Sequence, residues 1–225
     1  MTNRKLLSVE EVNDILGKHK ETLEEYMKLY IVKSVDPITK HVYIVSSGDN
    51  VYKELLEEKA RGVCHMEDGF IYFRNDIDLT PHLLIHEFIH RLSRNRLFVI
   101  RKLSRCWVEG INYSKDTKYT NEVITEMITS DITGMEEADN PYTLGLDLMR
   151  QFADKVGKEE LIRAYFESDI HFLKQHLKKN YTSFVNHFYA LIYFYIKSIS
   201  SSNRKEYMYH VKDAAFVLNL IINSL

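Results

Sequence analysis

The sequence predicts an α+β chain, with a mixed N-terminal half over residues 1–115 and a mainly helical C-terminal half over residues 116–225. Three observations carry this. Short β-branched or aromatic runs, His41–Val45 and Gly69–Arg74, alternate with helical patterns only in the first half. From Thr120 onward nearly every segment has apolar residues at helical spacing. The 225 residues, 45% of them apolar, suffice for one large domain or two small ones with a buried core.

Taken in order, Ser8 and Glu11 stand in capping-box spacing. Val12, Ile15, Leu16, Leu23, Tyr26 and Met27 then predict one helix over Ser8–Ile31. Asp36-Pro37 signals a turn, and His41–Val45 has the composition of a short strand. A helix is expected after Asp49, running to Arg61 and ending near Gly62, followed by a strand over Gly69–Arg74. Thr80-Pro81 is a strong helix start, with Thr as cap and Pro at the first helical position, and the helix it opens is expected over His82–Asn95. Ile111–Thr120 reads as loop, and Asn121–Glu126 opens a helical pattern. Asn140-Pro141 is a second start, Gly157 a break, Asp169 a cap candidate, and Ser198–Ser202 a loop before the last helix.

Thirty Lys+Arg against thirty-two Asp+Glu leave a net charge of −2, so no global field draws the chain to nucleic acid or to a membrane surface. The basic run Arg91–Arg105 lacks a groove-reading or stacking module and reads as solvated surface. Cys64 and Cys106 cannot form a disulfide framework and suit a reducing compartment. The N-terminus has no apolar h-region, and the longest apolar stretch, Phe188–Ile196, is far short of a bilayer span. A cytoplasmic location, with neither nucleic acid nor membrane as partner, is the expectation.

The most informative residues are His86-Glu87-Phe88-Ile89-His90, an HExxH inside the Thr80-Pro81 helix. Positions i and i+4 share one helical face, so both imidazoles can reach one metal ion. Glu87 lies about 100° around the helix, in reach of a water on that ion. With ten His in the chain, random order gives roughly 0.04 such matches, which makes accident a poor explanation. A catalytic zinc wants a third protein ligand and an open position. No third His follows in the HxxGxxH pattern, so a downstream carboxylate is expected. Two candidates stand open: Glu122, with Glu126 one turn on, and Glu109, separated from His90 by residues 91–108.

HExxH followed by Asn121-Glu122-Val123-Ile124-Thr125-Glu126 resembles the gluzincin clan of zinc metallopeptidases, typified by thermolysin, whose second motif is NExxSD. The resemblance implies a zincin-like N-terminal half with a small mixed sheet and an active-site helix. It also implies Zn2+ held by His86, His90 and Glu122, with Glu126 bonded to a ligating histidine. Glu126 departs from the clan's Asp, and the gap of residues 91–121 is longer than in clan members, whose shorter spacing fits Glu109. Asn140-Pro141-Tyr142-Thr143-Leu144-Gly145 resembles the segment of gluzincin aminopeptidases that supplies an oxyanion-stabilising tyrosine. Tyr142 takes that position, with Tyr113 and Tyr119 as rivals. The resemblance covers roughly residues 65–175.

The expected activity is hydrolysis of a peptide or protein substrate, with Glu87 as general base and Tyr142 as donor to the oxyanion. The resemblance also implies that Gly69–Arg74 is an edge strand on which an extended peptide pairs. No GxMEN-like motif lies upstream, which favours endopeptidase or small-peptide cleavage over aminopeptidase action. The alternative functions are a catalytically silent, zinc-retaining binding module, or a structural zinc site completed by His82 or Glu126. His82 is expected to be solvent-exposed in the first turn, His65 beside Cys64 to be structural, and His171, His176 and His187 to bind no metal.

Overall fold

The computed structural model describes residues 3–30, 39–65, 68–99, 104–111, 117–137, 140–169, 171–199 and 201–225, with backbone alone at 96–99 and 104–109. The fold is mixed α+β. Residues 1–109 with 131–134 form one unit, and residues 110–130 with 135–225 form a second.

In the first unit the elements are β1 (Arg4–Leu6), α1 (Val9–Leu16), α2 (His19–Tyr30), β2 (Val42–Val45), α3 (Asn50–Glu57), β3 (Gly62–Cys64), β4 (Ile71–Arg74), α4 (Pro81–Leu92), β5 (Arg94–Val99) and β6 (Ser104–Glu109). Ser8 caps α1 in a complete capping box: its Oγ accepts from the Glu11 amide at 3.1 Å, and the Glu11 carboxylate accepts from the Ser8 amide at 2.7 Å. The single helix expected over Ser8–Ile31 is two helices, because the chain turns at Gly17, whose φ is +51°. Asp36-Pro37 lies outside the described residues. Asp49 caps α3, accepting from the Val51 amide at 2.8 Å, and its carboxylate also pairs with the Arg4 guanidinium. α3 stops at Glu57 rather than Arg61, since the chain turns through Lys59 at φ +56° and Gly62 already belongs to β3.

Four strands form one sheet in the order β1-β2-β4-β3. β2 and β4 run parallel, with Tyr43 opposite Tyr72, while β1 and β3 are antiparallel to their neighbours. This corrects the expected edge position of Gly69–Arg74: β4 is interior, and β3 lies at the edge. The cause is legible in burial. Ile71, Tyr72 and Phe73 are consecutive and all buried, as befits a strand covered on both faces. Tyr72 packs with Val45, Val51 and Leu55 of β2 and α3, and α4 also lies against β4.

α4 is buried from His82 through His90. Leu83, Leu84, Ile85, Phe88, Ile89 and Leu92 make it apolar around most of its circumference, and such a helix is enclosed rather than laid on a surface. It ends at Leu92, three residues short of the Asn95 expected, because Arg94–Val99 pairs with Ser104–Glu109 as an antiparallel hairpin. Within the basic run, residues 94–99 and 104–105 are therefore strand, and Leu97-Phe98-Val99 and Cys106-Trp107-Val108 have strand composition.

The second unit holds most of α5 (Lys118–Thr133), a 3-10 turn over Pro141–Gly145, α6 (Leu146–Val156), α7 (Lys158–Glu167), α8 (Phe172–Leu177), α9 (Tyr181–Ile199) and α10 (Arg204–Asn223). The expected loop up to Thr120 gives way to helix at Lys118. Gly157 separates α6 from α7. Asp169 caps no helix directly; it accepts from the His171 amide at 2.9 Å, one step before α8. The core includes Met149, Phe152, Ile162, Phe184, Phe188 and Ile192, with the Phe152 and Phe184 rings 4.8 Å apart. α9 and α10 pack along each other. Among the described residues, no helix is long and apolar enough to cross a membrane.

Gly110 shows how tightly this unit is closed. Its φ is +52°, and a side-chain carbon there would collide with the Asn121 carboxamide and the Tyr165 ring. Gly110→Ala is expected to cost about 3 kcal/mol from the left-handed backbone and the overlap together. A urea titration reads this as a lower midpoint at unchanged slope; an unmoved midpoint contradicts it.

Candidate metal centre

Thr80 starts α4 as its sequence predicts: the hydroxyl accepts from the Leu83 amide at 3.2 Å, and Pro81 occupies the first turn without leaving an amide orphaned. One turn apart on this helix, His86 and His90 turn their Nε2 atoms toward each other at 3.1 Å. Their ring centroids are 4.8 Å apart and the planes cross at 69°. Both side chains are buried. Two ligand atoms 2.0–2.1 Å from a tetrahedral zinc stand about 3.3 Å apart, so the separation is already that of two neighbouring ligands.

Glu87 is also buried, at 6% exposure. Its carboxylate lies over Gly62 of β3, where a methyl group would sit 3.3 Å from Oε1 and 2.5 Å from the Phe73 ring. The missing side chain at Gly62 is what leaves room for both. His82, expected in solvent, is buried at 2% exposure, with Nδ1 3.2 Å from the Thr133 hydroxyl. The enclosure that makes α4 central extends to its first turn, so His82 is a buried, bonded histidine.

α5 carries an unusual density of buried polar groups: Thr117 just before it, then Thr120, Asn121, Thr125, Glu126, Thr129, Ser130 and Thr133. The Asn121 carboxamide oxygen accepts from the Ile111 amide at 3.0 Å. Thr125 Oγ1 lies 2.6 Å from the Tyr165 hydroxyl and donates to the Asn121 carbonyl at 3.0 Å. Thr129 Oγ1 donates to the Thr125 carbonyl at 2.8 Å. Glu126 is fully buried, and its Oε2 accepts from Asn140 Nδ2 at 2.6 Å.

Glu122, one turn before Glu126, is half-buried. His86, His90 and Glu122 each offer a ligand atom, and these atoms lie within 4.8 Å of one another. Two imidazole nitrogens and one carboxylate oxygen are a donor set that suits zinc with a fourth position left open. Glu109 ends β6, a strand, and its side chain lies outside the described residues.

Tyr142 is the second residue of the 3-10 turn, half-buried, with its amide held by the Asn140 side-chain oxygen at 3.0 Å. Its ring is 6.4 Å from that of Tyr119, which is 5.1 Å from Tyr189. Burial, followed by the nearby Tyr189 and Glu122, holds the Tyr119 phenol above its ordinary pKa, so it stays a protonated donor. Tyr113 lies outside the described residues. Among the other histidines, His65 meets Tyr72 edge-on at 5.3 Å, His171 is exposed, His176 packs on Phe172 at 4.5 Å, and His187 Nδ1 donates to the Ser183 carbonyl at 2.6 Å.

Sequence reasoning missed Asn140, Tyr165 and Gly110 as parts of this region. Asn140 had a signal, the Asn-Pro helix start, but it announces only the cap; the bond to Glu126 joins residues fourteen apart and leaves no local pattern. No family model matches the sequence, and no curated protein and no solved structure matches it.

Proposed function

We propose that the chain is a zinc-dependent metallopeptidase of gluzincin type, built on a zincin-like α+β half. The observation that carries the reading is the ligand group His86, His90 and Glu122, with its two imidazole nitrogens already at ligand–ligand separation. Its support is the order of the motifs, HExxH on a capped helix and NExxTE on a later one. When bound, zinc would supply Lewis-acid polarisation of the scissile carbonyl and a more acidic water. His86 and His90 would hold it through the Nε2 atoms that face each other, and Glu122 through a carboxylate oxygen. Glu87 takes a proton from the attacking water on its carboxylate and returns it to the leaving amine nitrogen. Tyr142, or Tyr119 from the first turn of α5, donates to the developing oxyanion. An extended substrate would pair along β3, the sheet edge beside Glu87, rather than along β4.

The test is zinc content by elemental analysis on wild type, Glu122→Gln and Glu109→Gln. Roughly one zinc per wild-type chain, lost with Glu122→Gln and kept with Glu109→Gln, is expected. Loss with Glu109→Gln alone would move the third ligand, and a zinc-free wild type refolded in zinc would remove the reading.

A further inference from the structure

We infer that Asn140 is a positioning residue whose carboxamide ties the Glu126 carboxylate of α5, the helix that bears Glu122, to the turn that carries Tyr142. The inference rests on the zinc reading above and adds a residue that reading does not use. Asn140 makes three bonds in two directions. Its Nδ2 donates to Glu126 Oε2 at 2.6 Å, its Oδ1 accepts from the Tyr142 amide at 3.0 Å, and its carbonyl accepts from the Thr143 hydroxyl at 2.7 Å. One side chain therefore spends its donor on α5 and its acceptor on the 3-10 turn. Glu126 is fully buried, and a buried carboxylate held by a hydrogen-bond donor fixes the helix that bears it. That helix presents Glu122 one turn earlier, on the same face. Groups behind a metal ligand typically set affinity by orienting it, and losing one weakens binding about 10–100-fold.

The cap and the tie can be separated. Asp and Ser cap a helix start as well as Asn does, yet neither can donate to Glu126 as a carboxamide does. If Asn140 were only a cap, Asn140→Ser and Asn140→Asp would behave as wild type. As a tie, both should weaken zinc affinity about 10–100-fold by chelator competition, Asp more than Ser because it sets a second carboxylate against Glu126. The metal-free chain supplies an independent readout. Glu126→Gln with Asn140→Asp reverses the roles of amide and carboxylate, so the double variant should melt above Asn140→Asp alone. Zinc affinities equal to wild type, or additive melting losses with no recovery, overturn the tie even when wild type binds zinc. Recovery in the metal-free melts beside a wild type that binds no zinc would instead remove the metal reading, and the positioning role with it.

Discussion

Glu87→Gln is expected to keep its zinc and its melting temperature while losing peptide hydrolysis by about 10^2- to 10^4-fold. The geometry makes this the cleanest separation available between binding metal and doing chemistry. Gln has the shape of Glu, and the slot that receives it is fixed by Gly62 and the Phe73 ring, so the amide should settle where the carboxylate now lies. His86 and His90 approach each other from the other positions of the same helix, through Nε2 atoms that Glu87 does not occupy. What the amide lacks is a basic oxygen that can take a proton from water. Elemental analysis and kcat/KM on the best substrate from a peptide library give the two readouts. A Gln variant with wild-type kcat/KM would strip Glu87 of its role. Loss of zinc alongside activity would show that Glu87 belongs to the binding set.

The contrast between what was legible in the sequence and what was not follows the range of the interactions. Thr80-Pro81, Ser8 with Glu11, and Asp49 were readable because a cap is settled within three residues, and each is found capping. The HExxH pair was readable for the same reason, since helical spacing alone places His86 beside His90. The placement of Gly69–Arg74 was not, because edge or interior is decided by which strands arrive on either side. Yet its consecutive Ile71, Tyr72 and Phe73 held a signal for an interior strand that the family resemblance masked. The strand pair Arg94–Val99 with Ser104–Glu109 is hard to read because neither the polar run Arg94-Asn95-Arg96 nor the apolar run Leu97-Phe98-Val99 alternates as a half-buried strand does. His82 illustrates the limit from the other side. Its position in a first turn suggested solvent, and only the packing around α4 and the Thr133 hydroxyl bury it.

His82 also serves as the control for the second large effect, the stabilisation of the chain by zinc. A ligand that binds the folded state alone adds about 4 kcal/mol at a thousand times its dissociation constant, which for a chain of this size raises the melting temperature by roughly 10 °C. Zinc added to metal-free protein should produce a shift of this order, and a strong chelator should reverse it. His90→Ala removes one of the two nitrogens held 3.1 Å apart, so its shift should vanish. Glu122→Gln should behave alike, because the amide is a far weaker ligand than the carboxylate that completes the group. His82→Ala lowers the starting temperature by breaking a buried contact to Thr133, but it should leave the zinc-induced shift intact. That pattern distinguishes a bound metal from a general dependence on buried histidines. If His90→Ala kept the full shift, the ion would sit elsewhere. If all the histidine variants lost it in proportion to their own destabilisation, zinc would be reporting stability rather than a site. A shift that needs His90 and Glu122 and is indifferent to His82 ties the metal to the ligand group to which both belong.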